Sequence, residues 1–292
     1  MKSGLLLSIL LFVFFSIRCQ DLNVMTFNIR LNTPADSMNA WPFRKDKVNS
    51  QVIFHKVHVL GVQEALNDQV LDLQAGLPHF RFTGGGRDDG KAKGEYSAIF
   101  YDTARLQLLR SNTFWLSLTP EQPGSKSWDA AITRIVTWAE FRDRKTKQNF
   151  FVFNTHFDHI GQIARRESAL LLKKEVHRIA GKIPVIVMGD FNARPAEEPI
   201  QVLLDKKDSL YLMDSKELSL APHYGPMGTF NGFKSKERDD QPIDYIFVKD
   251  GWKVLQHATI SQTWEGRFAS DHFAVFGVFR LNKAPKPKSG KK

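Results

Sequence analysis

Residues 183–190 read IPVIVMGD, and runs of this kind recur along the chain. A continuous apolar stretch bounded by turn residues is a strand buried on both faces. Any sheet that holds it must therefore be covered front and back. Comparable runs occur at 22–30, 57–64, 95–101, 106–116, 132–143, 149–156, 243–248, 251–260 and 270–280. Between them, 43–56, 67–77, 161–181 and 197–207 have helical periodicity, the third ending on a glycine suited to a C-cap. The turn-rich stretch 31–44 and the glycine-rich GGGRDDGKAKG at 84–94 read as loops, the latter flexible. Strands outnumber helices and the two are interspersed, which predicts an α/β or α+β fold with stacked sheets. No repeat or internal linker divides the chain, so residues 21–282 form one expected domain.

The ends read differently. Lys2 precedes the apolar GLLLSILLFVFFSI, which is too short and too early for a comfortable membrane span, and residues 1–20 read as a secretory signal peptide. The expected location is secreted or periplasmic. Cys19 is the single cysteine and lies in that segment, so the mature domain has no internal disulfide. SIRC is a poor lipobox because Arg18 stands where a small residue is usual; lipidation of Cys19 would give a lipoprotein with peripheral membrane attachment. Of the formal charge of +10, Lys2 and Arg18 supply two and the tail 283–292 supplies five, leaving +3 for the body. A body at +3 does not by itself imply nucleic acid. The basic tail KAPKPKSGKK reads as a solvated, disordered end.

The informative event is a β-like run that stops on a polar residue. Asn28, Glu64, His156, Asp190 with Asn192, Asp244, and Asp271 with His272 all fall at such points. One such ending is an ordinary turn; six drawn from one short list of residue types suggest strand ends converging on a site. Asn28, Glu64, Asp190 and Asp271 are hard oxygen donors, which points to Mg²⁺, with Mn²⁺ or Ca²⁺ as alternatives, rather than structural zinc. A divalent ion on carboxylates with histidines suits phosphoryl chemistry.

The ordered set MTFNIR, GVQE, NTHFDH, GDFNARP, IDYIFV and SDHFAVFGVF resembles the endonuclease/exonuclease/phosphatase superfamily, which has the pancreatic-type deoxyribonuclease fold. Within it the chain looks most like secreted bacterial members related to carbon catabolite repressor deadenylases. The resemblance implies a four-layer α/β sandwich, two packed and mostly antiparallel sheets flanked by helices, with Mg²⁺-dependent hydrolysis of a phosphoester. By the same resemblance, Glu64, Asn28 and Asp271 are metal-side residues, Asp190 aligns the attacking water, and Asn192 contacts phosphate. Asp244 orients His272, and Glu95 falls where nucleases of this fold place the carboxylate partner of His156. Arg134 matches a phosphate-contacting arginine and Thr229 a substrate-recognition position. Trp41 with Arg44, and Arg165 with Arg166, are candidates for lining the substrate groove, and Asp158 and His159 could be loop residues or site residues.

The loops at 31–44 and 157–168 are not those of abasic-site endonucleases or inositol-phosphate phosphatases, so the substrate stays open. A phosphodiesterase acting on nucleic acid comes first. The alternative is a phosphomonoesterase or phospholipase-C-like enzyme acting on sugar, inositol or lipid-headgroup phosphates, and a non-catalytic binding protein of the same fold is a remote third. A monomer with no protein partner is expected.

Overall fold

A computed structural model describes residues 21–234 and 240–282. Residues 1–20, with Cys19 and the expected signal peptide, and the lysine-rich 283–292 lie outside the described residues. In chain order the elements are β1 (Leu22–Asn28), α1 (Lys45–Phe54), β2 (Val59–Gln63), α2 (Asn67–Gly76), β3 (Phe80–Thr83), β4 (Ile99–Asp102), β5 (Leu106–Trp115), β6 (Ile135–Asp143) and β7 (Asn149–His156). They continue with α3 (Gln162–Ala180), β8 (Val185–Asp190), α4 (Glu198–Leu204), β9 (Met213–Asp214), α5 (Ser215–Leu218), β10 (Asp244–Lys249), β11 (Trp252–Ile260), β12 (Thr263–Trp264), β13 (Arg267–Phe268) and β14 (Ala274–Leu281).

Two six-stranded sheets carry the fold, one ordered β11-β14-β1-β2-β4-β3 and the other β5-β6-β7-β8-β10-β9. Each is mixed and mostly antiparallel, with one parallel pair apiece: β1 with β2, and β7 with β8. The parallel pairs are the ones joined through a crossover helix, α1 or α3, as parallel strands require. Between the sheets lies an apolar layer that includes Val24, Ile99, Phe141, Phe150, Ile186, Ile246 and Phe279. Outside the first sheet, Val48, Val52, Val70 and Leu73 of α1 and α2 pack on Phe27, Leu60 and Val62. Outside the second, Ala169, Leu172 and Val176 of α3 and Ile200 of α4 pack on Phe151, Phe153 and Val187. The expected four-layer sandwich is the observed one, and covering both faces of each sheet explains why strands such as VIVMGD have no polar side. Each large aliphatic or aromatic side chain so buried contributes roughly 1.5–3 kcal/mol relative to exposure.

One polar seam crosses the apolar layer. Gln63 Nε2 donates to Asn154 Oδ1 at 2.6 Å and to Thr26 Oγ1 at 3.0 Å, while Asn154 Nδ2 donates to the carbonyls of Val62 and Ala98. All three side chains are fully buried.

The glycine-rich loop at 84–94 is not the slack loop its composition suggests. Backbone N–H groups of Gly86, Asp88 and Gly90 pair within it, and Asp89 Oδ1 accepts from the amides of Lys91 and Lys93. Among the described residues no helix is long and apolar enough to cross a membrane.

Candidate active site

The strand register brings the polar endings together. His156 on β7 is opposite Asp190 on β8, and Asp190 is opposite Asp244 on β10. Gly189 makes the first pairing close: its φ is +149° and a Cβ there would lie 2.0 Å from the Thr155 carbonyl oxygen. Beyond the strand ends the chain turns through left-handed residues, Arg30 (φ 57°), Glu64 (φ 61°) and Asn192 (φ 47°), an uncommon conformation for side chains with a Cβ. The result is a pocket of about 410 Å³ lined by Arg30, Leu31, Glu64, Glu95, Ile132, Arg134, His156, His159, Asp190, Asn192, Phe230, Ile243, Asp271 and His272.

Asp190 is at its centre and 1 % exposed. Its Oδ2 accepts from Asn28 Nδ2 at 3.0 Å, its Oδ1 accepts from the Asn192 amide at 2.9 Å, and His156 Nε2 lies 3.5 Å away. Burial, reinforced by the charge of Asp244, pushes its carboxyl up to about 7, where it can accept a proton from water near neutral pH. His272 Nδ1 lies 2.9 Å from Asp244 Oδ2. Burial alone would lower the pKa of that imidazole, but Asp244, Asp190 and Asp271 hold it well above the usual histidine value. Asp244 thus fixes both tautomer and charge, leaving Nε2–H to face a substrate oxygen. Burial together with the charges of Arg134 and His272 keeps His156 neutral. Asn192 Nδ2, anchored on the Phe157 carbonyl at 3.0 Å, donates to His156 Nε2 at 3.0 Å, which places the His156 proton on Nδ1. That Nδ1, with Nε and Nη1 of Arg134, is buried and has no hydrogen-bond partner among the described residues.

On the other side, Glu64 Oε1 accepts from Asn28 Nδ2 at 2.9 Å and Oε2 from the Leu31 amide at 3.2 Å. Asp271 Oδ1 accepts from the Ser270 hydroxyl at 3.2 Å, and burial followed by the charge of Glu64 raises its carboxyl pKa. Two neighbouring acids of this kind call for a cation. Arg30, bonded to Asp36 at 3.0 Å, has nitrogens 3.9 Å from both Glu64 Oε2 and Asp271 Oδ2. Hard oxygen donors without sulfur fit a divalent ion, which would be held by Glu64 and Asp271 and would neutralise phosphate charge. A further group, Asp190, Asp244 and His272, brings its ligand atoms within 4.8 Å. There Asp244 and His272 are already bonded to each other, so the Glu64–Asp271 side is the better cation site. Asn28 Oδ1 accepts from the Arg30 amide at 3.0 Å, so the side chain ties Glu64 to Asp190 through its Nδ2.

Residues 25–272 match the Endonuclease/Exonuclease/phosphatase family. The chain belongs to that family. Its members are phosphoester hydrolases that depend on metal, which agrees with the acids and histidines gathered here. The chain is 38 % identical to the endonuclease/exonuclease/phosphatase from Bacteroides vulgatus, covering 90 % of this chain and 100 % of that one with a TM-score of 0.86. It is 35 % identical to a mannosyl-6-phosphatase from Bacteroides thetaiotaomicron, covering 89 % and 100 % with a TM-score of 0.84. Nocturnin of Drosophila melanogaster is 26 % identical over 226 residues, 66 % of this chain but only 33 % of that protein. The chain thus spans about a third of the length of that relative.

Several residues singled out in the sequence are not where expected. Trp41 is 1 % exposed inside the first helix layer, with its indole N–H on Asp72 Oδ2 at 2.9 Å, because the short turn at 41–43 tucks the ring under α1. Arg44 is equally buried and donates to the carbonyls of Asn39, Ile29, Arg30 and Ala269, bracing the Arg30 loop from behind. Arg165 is buried and donates to the Asp158 carbonyl at 3.2 Å, while Arg166 reaches Glu198 at the surface. None of the four lines the pocket.

Thr229 is 1 % exposed and its hydroxyl donates to Asp244 Oδ2 at 2.6 Å, so it positions the Asp244 carboxylate and is closed to substrate. Asp158 caps backbone amides of Ala131, Ile132, Ile160 and Gly161, whereas His159 lines the pocket with Nδ1 3.2 Å from Arg134. Glu95 is in the pocket, but its Oε2 accepts from Arg87 Nη1 at 2.6 Å rather than serving His156. The backbone bond from Arg87 N to Glu95 O explains this, because it folds the glycine-rich loop back over the acid.

Arg30, Arg87 and Phe230 were not singled out in the sequence. Arg30 ends MTFNIR, and Phe230, whose ring sits 5.1 Å from that of His272, lies within GTFNGF. Arg87 has no local signal beyond being a cation inside a glycine-rich run.

Proposed function

We propose that the protein is a Mg²⁺-dependent phosphomonoesterase acting on a small, sugar-like phosphate, by attack of water on phosphorus with cleavage of a P–O bond. The observation that carries this reading is the charge and size of the pocket. Its lining holds two arginines, Arg30 and Arg134, against four acids, Glu64, Glu95, Asp190 and Asp271, in about 410 Å³. Such a pocket suits one phosphate and a compact alcohol, whereas a polynucleotide backbone is held by an extended row of cations. The full-length likeness to a mannosyl-6-phosphatase supports the same class. The nucleic-acid diester that the sequence puts first becomes the competing outcome.

In this reading Asp190 takes the proton from the attacking water and His272 Nε2–H stabilises charge on a phosphate oxygen. Arg134 orients the phosphate, Asn192 fixes the His156 ring at its side, and Glu64 with Asp271 hold Mg²⁺, whose charge offsets that of the phosphate. Export by way of residues 1–20, with Cys19 either cleaved off or lipidated, belongs to the same proposal.

The test is hydrolysis by the purified protein in Mg²⁺ of hexose 6-phosphates and p-nitrophenyl phosphate, beside bis-p-nitrophenyl phosphate and short oligonucleotides. Phosphate release from the monoesters, lost in Glu64→Gln, is the expected result. Cleavage of the diesters alone would overturn the proposal in favour of a nuclease.

A further inference from the structure

Glu95 is the acid of the pocket to which the chemistry above gives no task. Asp190 handles a proton, and Glu64 and Asp271 face the cation site. Glu95 lies beside Glu64 because the Tyr96 amide donates to the Ala65 carbonyl at 2.8 Å. Its Oε2 is taken by Arg87 Nη1 at 2.6 Å, and among the described residues its Oε1 accepts no hydrogen bond. Both side chains are 15 % exposed, enough to be reached from the pocket but too little to be washed by bulk water.

A bare carboxylate next to a phosphate dianion repels it. Arg87, which does not itself line the pocket, removes that penalty by cancelling the charge from behind, and what remains facing the cavity is a strong acceptor. Ligand hydroxyl groups match this acceptor, because each can donate to Oε1 in a charge-assisted bond. An aryl or simple alkyl alcohol offers nothing to it.

We propose that Glu95, held by Arg87, reads hydroxyl groups on the leaving alcohol, so that the enzyme selects polyhydroxylated phosphomonoesters over esters of the same phosphate without hydroxyls. The inference rests on the phosphomonoesterase reading above. It makes Glu95 a specificity residue instead of a partner of His156.

The test compares Glu95→Gln with the wild-type protein in Mg²⁺ on a hexose 6-phosphate and on p-nitrophenyl phosphate, with inorganic phosphate as inhibitor. A site built around a substrate hydroxyl discriminates strongly, so kcat/KM for the sugar phosphate should fall by about 30- to 100-fold, mostly through KM. Activity on p-nitrophenyl phosphate should not fall by more than about threefold, because it uses no hydroxyl contacts, and inhibition by inorganic phosphate should be at least as strong as in the wild type, because Arg87 is left uncompensated. Arg87→Gln is the second variant. It leaves Glu95 uncompensated, so inhibition by inorganic phosphate should weaken about tenfold, as for a partly buried like-charge contact.

An equal loss on both substrates in Glu95→Gln would overturn the inference and return Glu95 to the common chemistry beside His156. No loss on either, in a variant that melts like the wild type, would also overturn it. A wild-type protein that releases phosphate from no monoester at all would instead bring down the phosphomonoesterase reading, and the inference with it.

Discussion

His156 and His272 flank the same pocket and are 7 % and 5 % exposed, yet one is held neutral and the other cationic. Burial penalises the imidazolium of both. What separates them is the rest of the company: both approach Asp190, at 3.5 and 3.8 Å, but His272 is bonded to Asp244 with Asp271 nearby, whereas His156 faces Arg134, Arg87 and His272 itself. Depth alone therefore says little about what a buried histidine can do, and the charges on the neighbouring strand ends decide it. One side of the pocket becomes a charged hydrogen-bond donor, the other a neutral ring locked by Asn192. Asp190, between them, has its carboxyl pKa pushed up by burial and by Asp244.

The sharpest way to break this asymmetry is to remove its centre. Asp190→Asn keeps the shape and deletes the proton acceptor, and kcat should fall by about 10³- to 10⁴-fold with melting temperature nearly unchanged. Asp244→Asn takes away the partner that charges His272. A loss of about 10²- to 10³-fold is expected, in line with removal of one preorganised stabilising group, and an effect on kcat below tenfold would mean that His272 works without its carboxylate.

Glu64→Gln probes the metal side. Besides losing activity by about 10²-fold, the variant should no longer gain melting temperature when Mg²⁺ is added. A Mg²⁺-dependent rise that survives the substitution would move the ion elsewhere.

His257, outside the pocket, extends the comparison to stability. Its Nδ1 is 2.9 Å from that of His223, and burial followed by the neighbouring histidine pushes its pKa down to about 3. An unfolded histidine takes up its proton near pH 6.5, while the folded protein refuses it until far lower. As pH falls below 6.5 the unfolded state binds the extra proton, so stability is lost progressively toward pH 3, by roughly 3 kcal/mol at pH 4. Denaturant unfolding of His257→Gln against wild type at pH 7 and pH 4 checks this, the variant being expected to show a smaller acid loss.

The layered fold was legible because its strands are apolar throughout, which only a doubly covered sheet allows. The short strands β3 and β9 were not, since four or two residues carry too little pattern. At the site, Asp190, Asn192 and His272, with Asp244 behind them, could be anticipated because strand ends state their position in sequence. Trp41, Arg44 and Arg165 could not be placed, because a tryptophan or arginine reads the same from sequence whether it faces a groove or the inside of a loop. Thr229 was rightly drawn to the site but given the wrong neighbour, as its hydroxyl bonds Asp244 across fifteen positions. The Arg87–Glu95 pair depended on how a glycine-rich loop closes, and that is a matter of backbone pairing rather than of residue type.

The polar seam of Gln63, Asn154 and Thr26 bears on a mechanical problem. Two sheets stacked through hydrocarbon have no intrinsic lateral registration, because one methyl group packs nearly as well as the next. A slip by a single residue, roughly 3.3 Å along a strand, would carry Glu64, just beyond β2, away from Asp190 at the end of β8. The bond between Gln63 and Asn154 acts like a key in a keyway: it adds little to the grip between the layers but allows only one alignment. A site divided between two sheets keeps its tolerances through such a lock, and the loops around it can change without disturbing the alignment.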